Sequence, residues 1–198
     1  MRLMAQIKFQ APQSQAADQR FGSSYAQPFE LLSACHERVE RSLQLLTRLC
    51  QHLKARGLDA SAREAARDVR RYFDIAAPLH HEDEELHVFP VLEQLDDAPL
   101  QDVCARLRED HQRIHAQWEV LRALLAQLDG HPDGPLPALQ LEVLSRASDT
   151  FVDAHKEHLR LENQLVFPHA QQGLNAAQLQ AMGEEMASRR GLDLRQDS

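Results

Sequence analysis

Two segments of the chain repeat one pattern, and this repeat limits the folds that the chain can adopt. Both segments have the form His-x3-Glu-x3-Val-Phe-Pro, one over residues 80–90 and the other over residues 158–168. The residues that precede them also correspond, because His36-Glu-Arg-Val is similar to His111-Gln-Arg-Ile. The sequence therefore predicts two similar halves, each built from two helices.

Apolar residues at steps of three and four predict the first two helices. The first helix should run from Pro28, a residue favoured in a first helical turn, to Gly57. The second helix should begin near Ser61, where Ser61 and Glu64 have the pattern of a capping box. It continues through the first repeat, and we expect Pro78 to bend it or to remove one backbone hydrogen bond.

The second half of the chain repeats this arrangement. A third helix is predicted from about Pro99 to Gly130, and a fourth, after a turn-rich loop, ends near Pro168. A short fifth helix should run from Asn175 to about Arg190. Four long helices with short connections favour neighbours that run antiparallel.

The predicted fold is therefore all-α: an up-down-up-down antiparallel four-helix bundle made of two similar helical hairpins. Residues 1–24 are polar and lack a helical period, so we interpret them as an N-terminal arm. Residues 25–170 form the bundle, and residues 171–198 form the short fifth helix and a tail. A content of only 5% aromatic residues leaves few residues that favour strands.

Charge and composition exclude several classes of function. The net charge of −8 disfavours a surface for nucleic acid, and no apolar run has the length of a membrane span. The N-terminus has no apolar stretch suited to a signal peptide, which predicts a cytoplasmic protein. The odd number of widely spaced cysteines indicates reduced thiols: Cys35, Cys50 and Cys104.

Each apolar stripe is interrupted near one level by histidine, or by histidine and glutamate. Residues four apart share a helix face, so His80 and Glu84 can bind one centre together, and the second repeat offers the same pair. Imidazole suits iron, zinc, copper and nickel, and a carboxylate can bridge two ions. Carboxylates buried without cations would be costly. The pattern therefore predicts a metal site of six side chains: His36, His80, Glu84, His111, His158 and Glu162.

Simpler interpretations apply to most of these residues taken singly. A lone core histidine is more often a hydrogen-bonded structural residue, and the acidic run 82–85 alone would be a solvated face. Four other histidines are interpreted as surface or cap residues: His52, His87, His131 and His169. The repetition of the set in both halves favours metal. A ferritin-like site and a zincin site are excluded, because their glutamate and histidine spacings do not occur in the required number.

In the order of these residues the sequence resembles the hemerythrin-like, or HHE cation-binding, domain family over about residues 25–170. Members of that family are four-helix bundles with a non-haem di-iron centre bridged by oxo or hydroxo. The resemblance implies that the six residues above are the ligands, with Glu84 and Glu162 as bridging carboxylates. It also implies a cofactor of two iron ions.

The sequence departs from the oxygen-carrying hemerythrins at two places. Leu107 stands where they have a histidine, and the second repeat ends in Glu162 where they have an aspartate one position later. An open metal position would favour exchange with O2, NO or peroxide, or uptake and release of metal. Three nearby histidines are candidates to compensate: His81, His115 and His155. The pair of His80 and Glu84 is preferred to a shifted pair of His81 and Glu85. Only the first pair is separated from Phe-Pro by the same number of residues as the pair in the second repeat.

Three hypotheses of function follow. The leading one is a di-iron protein that binds, senses or handles O2, NO, peroxide or iron. The second is a di-iron enzyme that dismutes peroxide, reduces NO or donates iron for the repair of iron–sulfur clusters. The third is an interaction module that its metal merely stabilises. The expected partners are a small diatomic ligand or peroxide, with no nucleic acid and no membrane; a homodimer or a protein partner is left open.

Overall fold

The structure, a computed structural model, describes residues 25–192. Within that range the backbone is helical almost throughout, and the one β-type pairing is an isolated bridge between Leu58 and Gly134. The all-α class is therefore confirmed. The predicted arm, residues 1–24, and the end of the tail, residues 193–198, lie outside the described residues.

The helices follow the predicted order, and two of the long ones continue through a π-helical turn. The α-helices are α1 (Pro28–Arg56), α2 (Ala60–Asp83), α3 (Phe89–Glu93), α4 (Ala98–Gln127), α5 (Ala138–Leu161), α6 (Phe167–Gly173) and α7 (Ala176–Arg189). The π-helical turns are Glu84–Val88, between α2 and α3, and Glu162–Val166, between α5 and α6; a 3₁₀ turn, Leu128–Gly130, extends α4.

The four long helices pack into a helical bundle. Helix α1 packs against α2 and α5, and α4 packs against the same two helices. Each long helix therefore has two long neighbours, so that the apolar stripes of all four face a common interior.

Helix α2 differs from the prediction at its start and at Pro78. Its N-cap is Asp59, whose carboxylate accepts a hydrogen bond from the Ala62 backbone N–H at 2.8 Å, so the capping box expected at Ser61 is wrong. Asp59, two residues before Ser61, caps the free N–H groups of the first helical turn instead. Pro78 does not interrupt the helix. Because Pro78 has no N–H, the backbone carbonyl of Asp74, four residues earlier, loses its helical hydrogen bond. Both residues lie on the exposed face of the helix, so water can bind that carbonyl.

The π-helical turns arise from the repeated Val-Phe-Pro segments and were not predicted. The Phe89 N–H bonds to the carbonyl of Glu84, five residues earlier, and Phe167 bonds to Glu162 in the same way. The proline after each phenylalanine has no N–H, and its ring would clash with the carbonyl four residues before it. A wider turn of the helix accommodates that ring. Each π-helical turn begins at a glutamate of the predicted site.

The apolar core consists of two separate clusters. The Trp118 cluster contains, among others, Val39, Phe73, Ile114, Trp118, Leu121 and Phe151. The Met186 cluster contains, among others, Leu32, Phe89, Leu107, Val166, Phe167 and Met186. In α1 the boundary between the clusters falls at His36, and in α4 it falls at His111. The predicted metal residues therefore form a polar layer between two apolar cores.

A buried ion-pair cluster attaches α7 to the end of α2. The carboxylate of Asp83 is fully buried and contacts both Arg189 and Arg190, with 2.6 Å between its Oδ2 and Nη2 of Arg190. Helix α7 also approaches Tyr25 so closely that a Cβ at Gly183 would overlap the Tyr25 carbonyl oxygen. The C-terminal helix is therefore fixed to the residue that precedes Glu84.

The variant Asp83→Asn should destabilise the metal-free protein. It leaves the partly buried guanidinium group of Arg190 without its anion, while Arg189 keeps Glu82 and Glu185 as partners. The loss should cost about 2 to 3 kcal/mol. Urea unfolding followed by circular dichroism measures this loss. The matched control is Asp153→Asn, whose exposed pair with Lys156 should make no measurable difference. Equal unfolding midpoints for the two variants would show that the cluster does not hold α7.

Candidate metal centre

The structure brings all six predicted side chains together. The four histidines come from the four long helices, and the two glutamates are the first residues of the two π-helical turns. Each is buried, and the most exposed of them retains only 5% of its surface. The six side chains are His36, His80, Glu84, His111, His158 and Glu162.

The six residues form two groups that overlap at the carboxylates. One group consists of His36, His80, Glu84 and Glu162, and the other consists of Glu84, His111, His158 and Glu162. Within each group, one ligand atom per residue lies within 4.8 Å of all the others. Two histidine pairs thus share two carboxylates, an arrangement that suits two neighbouring cations.

The carboxylate oxygens are divided between the two groups. Glu84 directs Oε1 to Nε2 of His80 at 3.3 Å and Oε2 to Nε2 of His111 at 3.4 Å. Glu162 directs Oε2 to Nε2 of His36 at 3.2 Å and Oε1 to Nε2 of His158 at 3.0 Å. Each carboxylate therefore offers one oxygen to each histidine pair.

The atoms that face one another here form no hydrogen bonds. All four carboxylate oxygens of Glu84 and Glu162 are buried without a hydrogen bond, and so is Nε2 of each of the four histidines. Buried polar atoms are rarely left in this state, because each costs free energy unless something replaces water. A cation in each group would satisfy all of them, so the residues present fit a pair of metal ions.

The charges of these groups depend strongly on one another. Burial alone would lower the pKa of His36, but contacts with Glu162 and Glu84 outweigh it and raise the pKa to about 10. The same contacts raise the pKa of His111 to about 10, again against burial. His158, also buried, has its pKa raised to about 9, chiefly by the charge of Glu162. Without metal, protonated imidazoles therefore balance the buried carboxylates.

The glutamates show the converse effect. Burial and the charge of Glu162 would raise the pKa of Glu84, but the surrounding histidines outweigh both and lower it to about 2. The pKa of Glu162 is likewise lowered, against burial, by His158 and its neighbours. Burial lowers the pKa of His80, which leaves that ring neutral. Both carboxylates are thus ionised and able to bind cations at neutral pH.

Outer hydrogen bonds orient two of the rings. The Nδ1–H of His36 donates to Oδ1 of Asn163 at 2.8 Å, and that of His111 donates to Oε1 of Glu85 at 2.7 Å. These bonds fix the tautomer that presents Nε2 to the carboxylates. This contact of Asn163 was not predicted from the sequence; the signal for it was the position of Asn163 directly after Glu162.

The histidines proposed as extra ligands have different positions. His115 is exposed and lies outside both groups. His155 is buried, but its Nδ1–H donates to the Phe151 carbonyl at 2.8 Å and its ring packs against the Trp118 cluster. His81 lies beside His111 and belongs to a third histidine group. Leu107, which stands where the oxygen-carrying hemerythrins have a histidine, is fully buried in the Met186 cluster.

Three histidines interpreted as surface or cap residues bond to a carboxylate or to the backbone. His87 is half-buried and pairs with Glu185 of α7 at 2.5 Å, and His52 pairs with Asp59 at 2.8 Å. His169 is exposed and bonds to its own helix. All three cysteines are free. Within residues 25–192, no helix is both long enough and apolar enough to span a bilayer.

The bundle and its layer of shared carboxylates define a class of helical metal-binding proteins. Comparison with known proteins supports this class: the family model of the hemerythrin HHE cation binding domain matches residues 27–170. The chain belongs to this hemerythrin family. It is also 30% identical over 169 residues to an uncharacterised protein of Haemophilus influenzae, which covers 85% of this chain and 92% of that protein.

Metal binding at neutral pH should release protons. At pH 7 the imidazoles of His36, His111 and His158 are protonated in the metal-free protein, because their pKa values lie above 7. A cation binds only the neutral ring, so its binding should displace up to three protons. Affinity should therefore increase as the pH rises from 6 towards 9.

A titration of metal-free protein with Zn²⁺ in weak buffer with a pH indicator measures this release. Calorimetry in two buffers of different ionisation enthalpy gives the same number independently. Binding without proton release at pH 7 would mean that the imidazoles are already neutral and that another group balances the carboxylates.

Proposed function

We propose that this chain is a cytoplasmic, non-haem di-iron protein that binds O2, NO or peroxide, or handles iron. The observation that carries the proposal is the division of each carboxylate between the two histidine pairs. Mixed imidazole and carboxylate donors suit iron, and two bridging carboxylates suit a pair of ions. The family match supports cation binding in general, and the donor set supports iron.

Each residue then has a definite role. His36 and His80 would hold one ion, His111 and His158 would hold the other, and Glu84 and Glu162 would be shared between the two; these six residues are the proposed ligands. Bound iron supplies a redox-active centre with coordination positions for a small ligand. The protein supplies ligands on rigid helices, so little reorganisation is needed when an ion binds.

Two phenylalanines of the repeats shield the centre. The Phe167 ring stacks on His36 with 4.9 Å between centroids, and Phe89 stacks on His111 at 5.6 Å. Both phenylalanines are buried. They keep the imidazole rings in place and exclude bulk water, which restricts access to small molecules.

The arrangement of the bundle is proposed on similar grounds. The contacts of α1 and α4 with both α2 and α5 support the up-down-up-down four-helix topology inferred from the sequence. In that topology the two hairpins are related by an approximate two-fold axis. The axis would pass between the two carboxylates.

Metal content together with absorption spectra tests the proposed function. Protein produced with adequate iron should contain about two irons per chain, with near-ultraviolet bands that bleach on reduction and respond to O2, NO or peroxide. Steady-state assays with peroxide and NO on the same samples separate binding from turnover. One zinc, or an unresponsive spectrum, would instead support a metal that only stabilises the bundle.

The variant His158→Ala should lose most of the bound metal. It removes a buried donor whose Nε2 lies 3.0 Å from the bridging Glu162, so both the ion and the bridge lose support. Iron per chain after gel filtration measures the effect. The control is His115→Ala, which removes an exposed imidazole that belongs to neither group. Two tightly bound ions in His158→Ala would refute the ligand assignment.

A further inference from the structure

A surface cavity ends at the two side chains that hold His36 in place. The cavity has a volume of about 330 Å³ and lies between α1 and the segment formed by the second π-helical turn and α6. It is lined both by Phe167, which stacks on the His36 ring, and by Asn163, which accepts a hydrogen bond from its Nδ1–H. Asn163 is exposed, although the imidazole that it holds is buried. The outer side of His36 is therefore close to this cavity.

The corresponding place beside His111 is covered by an arginine. His111 is held in the same way as His36, by stacking on Phe89 and by a hydrogen bond to Glu85. The guanidinium group of Arg108 lies 3.7 Å from Oε2 of Glu85 and 5.2 Å from the centroid of the Phe89 ring. A cation that approached the polar layer here would meet a positive charge already bound to both supporting side chains.

The charges around the cavity beside His36 favour a cation instead. Glu30 and Glu37 line its α1 wall, and both are exposed, while none of the described lining residues is basic. The contact of Glu37 with Arg41, at 3.5 Å, is an exposed pair of the kind that holds weakly. A second cavity, of about 460 Å³, lies further along α1 and has mixed charge, with Lys156 and Arg160 in its wall. The smaller cavity is therefore the better approach for a positive ion.

We propose that the smaller cavity is the route by which divalent cations enter and leave the polar layer, and that Asn163 is the gate of this route. The inference rests on the proposed ligand set, of which His36 is a member. The gate opens when the Asn163 amide moves away from Nδ1 of His36 and the ring rotates towards the cavity. Exposed side chains change rotamer rapidly, so the gate opens without unfolding of the bundle.

Narrowing the cavity tests the route. Ala34→Phe reduces the space from the α1 wall, and Gln171→Trp reduces it from the α6 wall; neither residue is a proposed ligand. The matched control is Ala105→Phe, the same substitution at an exposed position of α4 that lines neither cavity. The probe is Zn²⁺, which has no redox chemistry to complicate the rates. Stopped-flow mixing with a chromogenic chelator measures its uptake by metal-free protein, and transfer to excess strong chelator measures its release.

Both cavity variants should slow uptake and release by the same factor. We expect about a tenfold decrease in each rate, with an equilibrium Kd that stays within about twofold, because a narrower route raises one barrier that both directions share. The control should exchange Zn²⁺ at the wild-type rates. A variant that merely disturbed the ligands would instead release the ion faster and bind it more weakly.

Removing the gate should have the opposite effect on the rates. Asn163→Ala should accelerate uptake by about tenfold, because the amide that holds the His36 ring no longer has to move away before an ion passes. If Asn163 only oriented His36, its loss would accelerate release and leave uptake unchanged. The matched control is Gln164→Ala, which removes the adjacent exposed amide, a group that bonds to Arg160.

Wild-type rates of uptake and release in both cavity variants would overturn the inference, and so would unchanged uptake in Asn163→Ala. If one cavity variant does not fold, as judged by circular dichroism of the metal-free form, the variant on the opposite wall decides the question. Failure of the wild type to bind Zn²⁺ is a different result, because it refutes the ligand set itself.

Discussion

The structure depends on placing two ionised carboxylates, Glu84 and Glu162, where no water reaches them. Both are fully buried, and they repel each other across the centre of the bundle. That arrangement is stable only when positive charge surrounds it. Protonated imidazoles can supply that charge in the metal-free protein, and cations would supply it when metal is bound. The four long helices, each with one histidine at this level, provide the surrounding donors.

One short motif meets several of the geometric requirements of the centre. In each repeat the histidine and the glutamate share a helix face through their spacing of four. The proline forces a π-helical turn that begins at the glutamate, and the phenylalanine before it packs on a histidine from a neighbouring helix: Phe89 on His111, and Phe167 on His36. The duplication of the motif places two such arrangements opposite each other. Glu85 and Asn163, which follow the two glutamates, then distinguish the halves, since one is charged and the other is neutral.

Features governed by local spacing were predictable from the sequence, and features governed by tertiary contacts were not. The apolar periods gave the long helices. The repeated His-x3-Glu pattern identified four side chains, and the similar segments before the repeats added His36 and His111. The structure brings these six side chains together; their role as ligands stays a prediction. The capping box at Ser61 was wrong because Asp59 competes for the same N–H groups. The π-helical turns could have been suspected from proline within a helical pattern. The attachment of Asp83 to Arg189 and Arg190 could not, because it joins residues more than a hundred positions apart.

The division of the core into two clusters affects how such a chain can change during evolution. The Trp118 cluster and the Met186 cluster are separate, and the polar layer lies between them. A change of side-chain volume in one cluster is therefore not transmitted to the other by direct packing. Each core can be remodelled by substitutions of its own, provided that the donors between them keep their positions. The two cores are thus independent units stacked along the bundle axis. The sequence repeat divides the protein differently, into a first and a second half of the chain.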